Sequence, residues 1–163
     1  MKKLKIYLDT NVIGFLDEPT SPREMTETLA LWELIRKDEF DVVVSKVALD
    51  EIDDNKNQTK VNTLKTFLSE INFETMEVTN EIHHISDLII KMGLLTSKKH
   101  LNDRLHIGCA MTCGADLLIS WNYKDLVNQR TIDGVKRVAI SEGYGYIDIV
   151  TPRKLLKILG VVL

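Results

Sequence analysis

Short apolar runs separated by stretches of helical periodicity constrain this chain more than any other feature. Leu4-Lys5-Ile6-Tyr7-Leu8 and Asp41-Val42-Val43-Val44-Ser45 have the apolar and β-branched character of buried strands, and residues 116–121 and 146–150 read the same way. Residues 73–78 read as a further short strand. Ser21-Pro22-Arg23-Glu24 is a helix start, with Ser at the N-cap, Pro at the first helical position and an acid in the first turn. Leu29, Trp32, Leu34 and Ile35 extend its apolar stripe to about residue 37. Helices are expected at 47–53, 57–68, 81–92, 102–113, 133–142 and 152–159. Strands alternating with helices imply a parallel sheet covered by helices on both faces. No repeat or linker interrupts the 163 residues, which are expected to form a single domain.

Composition excludes several function classes. The chain is 44% hydrophobic and 28% charged, ordinary values for a globular protein. The N-terminal apolar run is short and broken by Lys5 and Asp9, so it is no signal peptide. No segment approaches the ~20 apolar residues of a membrane helix. Cys109 and Cys113 lack a second Cys or His pair at zinc spacing and read as small buried residues, which fits a reduced cytoplasmic setting. The net charge of −3 gives no global basic field, so any nucleic-acid contact must come from a local patch.

The first strand ends in Asp9-Thr10-Asn11, which delivers a carboxylate where open α/β sheets bind ligands. Asp9 or Asn11 would also serve as a helix cap. Further acids fall at comparable places. Glu51 lies in the helix after the second strand, phased between Val47 and Ala48 toward apolar neighbours, where a carboxylate is costly without a partner. Asp103 opens the 102–113 helix on the face of Ile107 and Ala110, with Asn102 as a competing cap and His106 following as a hydrogen-bonding residue. Asn122 and Asp125 leave the 116–121 strand at the same edge as Asp9, where Ser120 is placed to hydrogen-bond a carboxylate. Asp116 sits at the opposite end of that strand and reads as structural.

Carboxylates converging at one sheet edge repel one another and raise their own pKa values. A hard divalent cation relieves that repulsion, and all-oxygen ligation points to Mg2+ or Mn2+. Such an ion orients a phosphodiester and activates water, so the chemistry implied is metal-assisted phosphodiester hydrolysis.

Four segments resemble, in order, those of PIN-domain proteins and more narrowly VapC-type toxin ribonucleases. They are Ile6-Tyr7-Leu8-Asp9-Thr10-Asn11-Val12-Ile13, Ser45-Lys46-Val47-Ala48-Leu49-Asp50-Glu51-Ile52, Asn102-Asp103-Arg104-Leu105-His106-Ile107-Gly108-Cys109-Ala110, and the stretch from Ala115 through Ser120 and Asn122 to Leu126. The resemblance implies a three-layer α/β/α sandwich around a central parallel sheet, with Asp9 and Asp103 as principal metal ligands and Glu51 completing the acidic cluster. Asn122 and Asp125 share the fourth position, and Thr10 and Ser120 match ligand-orienting positions. It also implies an RNA substrate, an antitoxin protein as partner and a homodimer. Lys98, Lys99, His100 and Arg104 flank Asp103, and Lys124 and Arg130 flank the fourth segment; these are the candidate RNA contacts. The helix carrying Trp32 and the tail from Ile158 to Leu163 are either contact surfaces or core.

Other classes fit less well. A haloacid-dehalogenase-type phosphatase needs a second Asp two residues after the first, where this chain has Asn11. The acidic spacing also departs from that of a receiver domain. The serious rival is a catalytically silent PIN-like RNA- or protein-binding module, and the intact set Asp9, Glu51 and Asp103 argues for activity.

Overall fold

The computed structural model describes residues 2–163. Strands β1 (Leu4–Leu8), β2 (Phe40–Ser45), β3 (Glu74–Met76), β4 (Leu117–Ile119) and β5 (Asp148–Val150) form one sheet in the order β3-β2-β1-β4-β5, every neighbouring pair parallel. The register pairs Tyr7 with Val43 on one side and with Leu118 on the other. Chain order reverses between β1 and β4, so the crevice beyond their carboxyl ends is the topological switch point of the sheet.

The strands' two-residue period divides the core into halves. Ile6, Leu8, Val42, Val44, Ile119 and Val150 face one layer, which contains α2 (Pro22–Arg36), α4 (Gln58–Ser69) and α8 (Pro152–Ile158). Tyr7, Val43, Leu118 and Ile149 face the other, built from α5 (Asn80–Lys91), α6 (Leu101–Thr112) and α7 (Gln129–Ser141). This is the expected three-layer α/β/α sandwich. The short α1 (Thr10–Gly14) follows β1, and α3 (Lys46–Asp53) follows β2 and contributes Ala48 and Ile52 to one half-core and Val47 to the other. Trp32 is fully buried, which makes its helix core, whereas Ile158, Val162 and Leu163 remain exposed.

Side-chain caps set where the helices begin. Ser45 accepts from Ala48 N, Asn57 from Lys60 N and Thr79 from Ile82 N, each satisfying a helix-start amide. The largest departure from the sequence reading is α7. It begins at Gln129 and not at residue 133, because the Asn128 side chain accepts from Thr131 N while Thr131 Oγ1 donates to the Asp125 carbonyl. Helix α7 is thereby tied to the loop that carries the last acid of the site.

Helix α6 packs closely on Ile82 of α5 at Gly108, where an added Cβ would stand 2.8 Å from Ile82 Cγ2 and 3.2 Å from the Ile82 carbonyl oxygen. Backbone cannot yield there as a flexible side-chain tip can. Gly108→Val is expected to cost about 1–3 kcal/mol by overpacking. Urea unfolding would read this as a lower midpoint at unchanged slope, and an unchanged midpoint would show that α5 and α6 separate freely.

Candidate active site

Parallel pairing of β1 with β4 brings Asp9 and Ser120 together at the switch point. Asp9 N donates to the Ile119 carbonyl, continuing the ladder by one residue. The Asp9 carboxylate, 4% exposed, caps α1 by accepting from Thr10 N on Oδ1 at 2.7 Å. Its Oδ2 accepts from Ser120 Oγ at 2.8 Å and from Asn11 Nδ2 at 3.0 Å. Asn11 also spans the two strand ends: its Oδ1 accepts from Trp121 N at 2.8 Å. The capping reading of Asp9 and the functional one therefore describe the same carboxylate.

Glu51 reaches the cluster from α3. Its Oε1 accepts from Thr10 Oγ1 at 2.8 Å and pairs with His106 Nε2 at 2.7 Å. Burial opposes its ionisation, but the His106, Thr10 and Asn102 contacts outweigh burial and hold the carboxyl below its ordinary value. A carboxylate oxygen only accepts, so Nε2 carries the proton.

His106, buried on α6, lies between the two acids, with Nε2 3.4 Å from Asp9 Oδ1. Its Nδ1 is 2.6 Å from the Tyr7 hydroxyl, which is itself 2.6 Å from Ser45 Oγ. Burial disfavours the imidazolium, yet the charges of Asp9, Glu51 and Asp103 prevail and raise its pKa. The sequence reading gave His106 a hydrogen-bonding role without placing it among the carboxylates. Its position three residues after Asp103, on one helical face, was the available signal.

Asp103 occupies the first turn of α6. Burial, followed by the charges of Asp9 and Asp125, pushes its pKa up to about 6. Asp125 completes the group from the loop after β4. Asn122 Oδ1 accepts from Asp125 N at 3.0 Å and its Nδ2 stands 3.5 Å from Asp125 Oδ2, so of the pair Asp125 joins Asp103 and Asn122 braces it. His100, at the N-cap of α6, stands with Nε2 3.4 Å from Asp125 Oδ1. His100, Asp103 and Asp125 each offer one donor atom within 4.8 Å of the others.

No family model matches the sequence and no curated protein matches it. Solved structures do match. VapBC2 from Rickettsia felis, bound to a DNA fragment from their promoter, is 19% identical over 74% of this chain and 90% of that one, with a TM-score of 0.55. FitAcB from Neisseria gonorrhoeae is 19% identical over 91% and 98%, with a TM-score of 0.56. VapBC-1 from nontypeable Haemophilus influenzae is 16% identical over 92% and 99%, with a TM-score of 0.54. The chain shares the fold of these structures, the three-layer sandwich expected of a PIN-like chain.

In this PIN-like chain the expected cations divide. Lys98 and Lys99 are exposed on the 3-10 turn Lys98–His100 ahead of α6, and Lys124 is exposed beside Asp125. Arg104 is a correction: it is 5% exposed, and its guanidinium donates to Ser86 Oγ and to the Leu95 and Ser97 carbonyls. With Nε and Nη1 committed to Ser86, Leu95 and Ser97, this buried arginine is an internal tie and not a surface cation of the cleft. Arg130 is exposed but donates to the Gly93 carbonyl. Burial raises the Cys109 thiol to about 11, consistent with its reading as a small buried residue. No helix among the described residues is long and apolar enough to cross a membrane.

The raised Asp103 pKa has a stability consequence with a definite sign. The unfolded chain releases this proton near 3.8, whereas the folded chain holds it to about 6. The stability associated with the protonated carboxyl is therefore full below 3.8 and lost as pH rises through about 6. Asp103→Asn should accordingly raise the melting temperature at pH 7.5 in EDTA by roughly 2–4 °C, the shift about 1 kcal/mol produces at this size. The gain should vanish below pH 4, and an equal gain at both pH values would disconnect it from carboxylate repulsion.

Proposed function

We propose that this chain is a divalent-metal-dependent endoribonuclease that hydrolyses RNA phosphodiester bonds. The observation that carries this reading is the gathering of Asp9, Glu51, Asp103 and Asp125 at the switch point, with the Asp103 proton held to about 6 by burial and its acidic neighbours. An arrangement that resists its own ionisation fits a cation as its intended occupant. Asp9, Asp103 and Asp125 would hold Mg2+ or Mn2+, with Glu51 closing the cluster. A bound ion supplies Lewis-acid polarisation of a phosphoryl oxygen and acidification of a water molecule.

The chain's own residues prepare the site. Ser120 and Asn11 fix Oδ2 of Asp9, Thr10 fixes Glu51 and Asn122 fixes Asp125. These contacts hold the carboxylates in place before substrate arrives. Lys98, Lys99 and Lys124 flank the acids and offer phosphate contacts, which leaves sequence preference to RNA shape and unstacked bases.

The solved neighbours named VapBC and FitAcB lead us to assign this chain the toxin role in a toxin–antitoxin pair. The exposed Ile158, Leu159, Val162 and Leu163 supply apolar surface for an antitoxin or for a second copy. A cytoplasmic setting follows from that role.

Cleavage of a pool of structured RNAs in Mg2+ or Mn2+ against EDTA tests the reading. Wild type should cut only with metal, and Asp9→Asn and Asp103→Asn should each lose more than about a hundredfold in rate, beyond the 10–100-fold typical of outer-shell partners. Ser120→Ala should fall within that lower range. No cleavage, together with no thermal stabilisation by either metal, would leave a catalytically silent PIN-like binding module.

A further inference from the structure

His100 carries a buried side-chain nitrogen of the acidic cleft that hydrogen bonding among the described residues does not account for. Its Nδ1 is buried and has no hydrogen-bond partner among the described residues, although a neutral imidazole presents one donor and one acceptor nitrogen that normally find partners when buried. Its Nε2 stands 3.4 Å from Asp125 Oδ1, longer than the 2.7–2.9 Å of a strong charge-assisted bond. The side chain is 17% exposed, and Nδ1 itself lies out of contact with solvent.

The position is also well defined. His100 precedes Asp103 by one turn across the junction of the Lys98–His100 turn and α6, and Asn122 Oδ1 holds the Asp125 amide. Each of the three residues offers a donor atom within 4.8 Å of the other two, the spacing of groups that share one ion. His106, in contrast, has both nitrogens engaged, Nδ1 with Tyr7 and Nε2 with Glu51. The two histidines of α6 and its N-cap thus differ in kind: one is satisfied by the protein and the other is not.

We propose that His100 is a metal ligand, forming with Asp103 and Asp125 a mixed imidazole–carboxylate site that selects Mn2+ over Mg2+. This rests on the metal-dependent reading above and changes its ligand set from oxygen alone. Carboxylates and water suit Mg2+ and Mn2+ alike, whereas an imidazole nitrogen favours the transition ion. Neither ring nitrogen is held in a hydrogen bond among the described residues, so no internal contact competes with an ion for the imidazole.

Binding of Mn2+ and of Mg2+ would be measured by calorimetry on wild type, His100→Ala and His100→Asn, with matched folding verified by circular dichroism. Pulsed electron paramagnetic resonance on the Mn2+-loaded proteins would report directly bound nitrogen independently of activity. The expected result is nitrogen coupling in wild type that disappears in both variants. Mn2+ affinity should fall by about tenfold or more while Mg2+ affinity changes several-fold less. Bound Mn2+ without nitrogen coupling in wild type, or coupling that persists in both variants, would overturn the role of His100 and leave the metal-dependent nuclease standing. Failure of wild type to bind either ion would overturn the proposal together with the functional reading beneath it.

Discussion

The Asp9 carboxylate is the group on which the rest of the site depends, because it is ionisable, buried, and placed between two strands that are distant in sequence. Removing a carboxylate from water costs several kcal/mol unless its oxygens are satisfied. Here the compensation comes from Thr10 N, Ser120 Oγ and Asn11 Nδ2. Two of these donors lie just after β1 and the third just after β4, so full satisfaction requires the parallel β1–β4 pairing to be in register. Asn11 strengthens the same junction by accepting from Trp121 N. Trp121 in turn donates from Nε1 to Thr28 Oγ1 on α2, which extends the tie from the strand ends to the helical layer. A charged side chain thus contributes to fold specificity and to the site by one set of hydrogen bonds.

Electrostatic compensation within the cleft is unequal. On the side of α3, the His106 ring lies against Glu51 and Asp9, and its own second nitrogen is anchored through Tyr7 to Ser45 at the end of β2. That chain of contacts runs through residues buried beneath the sheet's helical layer, which makes the imidazole a fixed internal partner. On the side of the loop after β4, Asp103 and Asp125 lie near each other, with His100 beside Asp125 and no hydrogen bond to its ring among the described residues. The consequence appears in opposite directions of titration: Glu51 is held below its ordinary value, and Asp103 is pushed up to about 6. Similar carboxylates on one sheet edge behave differently because the fold supplies a built-in donor to one, and burial with like charge to the other.

Much of this was legible in the sequence because it depends on local chemistry. The runs at Leu4–Leu8 and Phe40–Ser45 carry the apolar density of strands buried on both faces, and Asp9 is readable as a strand-end acid from its place after the first. The helices expected at 47–53, 57–68 and 81–92 lie where Ser45, Asn57 and Thr79 cap α3, α4 and α5 in the structure. What escaped depends on contacts between distant segments. Arg104 looks like a surface cation beside Asp103, but its burial is decided by Ser86, Leu95 and Ser97 of the neighbouring layer. Tyr7 reads as a strand residue, and only the side of the sheet it faces turns its hydroxyl toward His106. The strand order, which makes β1 and β4 neighbours, was likewise not contained in any single segment.

The division between α3 and the loop after β4 bears on how such a site can be both stable and available for chemistry. Complete neutralisation of all four acids by internal donors would remove the affinity for a cation, whereas no neutralisation would place the full repulsion on the folded state. The observed arrangement lies between these limits. Asp9 and Glu51 are committed to the framework by Ser120, Asn11, Thr10 and His106, while Asp103 and Asp125 are left with incomplete partners. Asn122 and Thr131 keep Asp125 from relaxing away, since one holds its amide and the other its carbonyl. The rigid half of the site thereby fixes where the responsive half must stay, and the destabilisation stored there is available to be relieved by whatever binds.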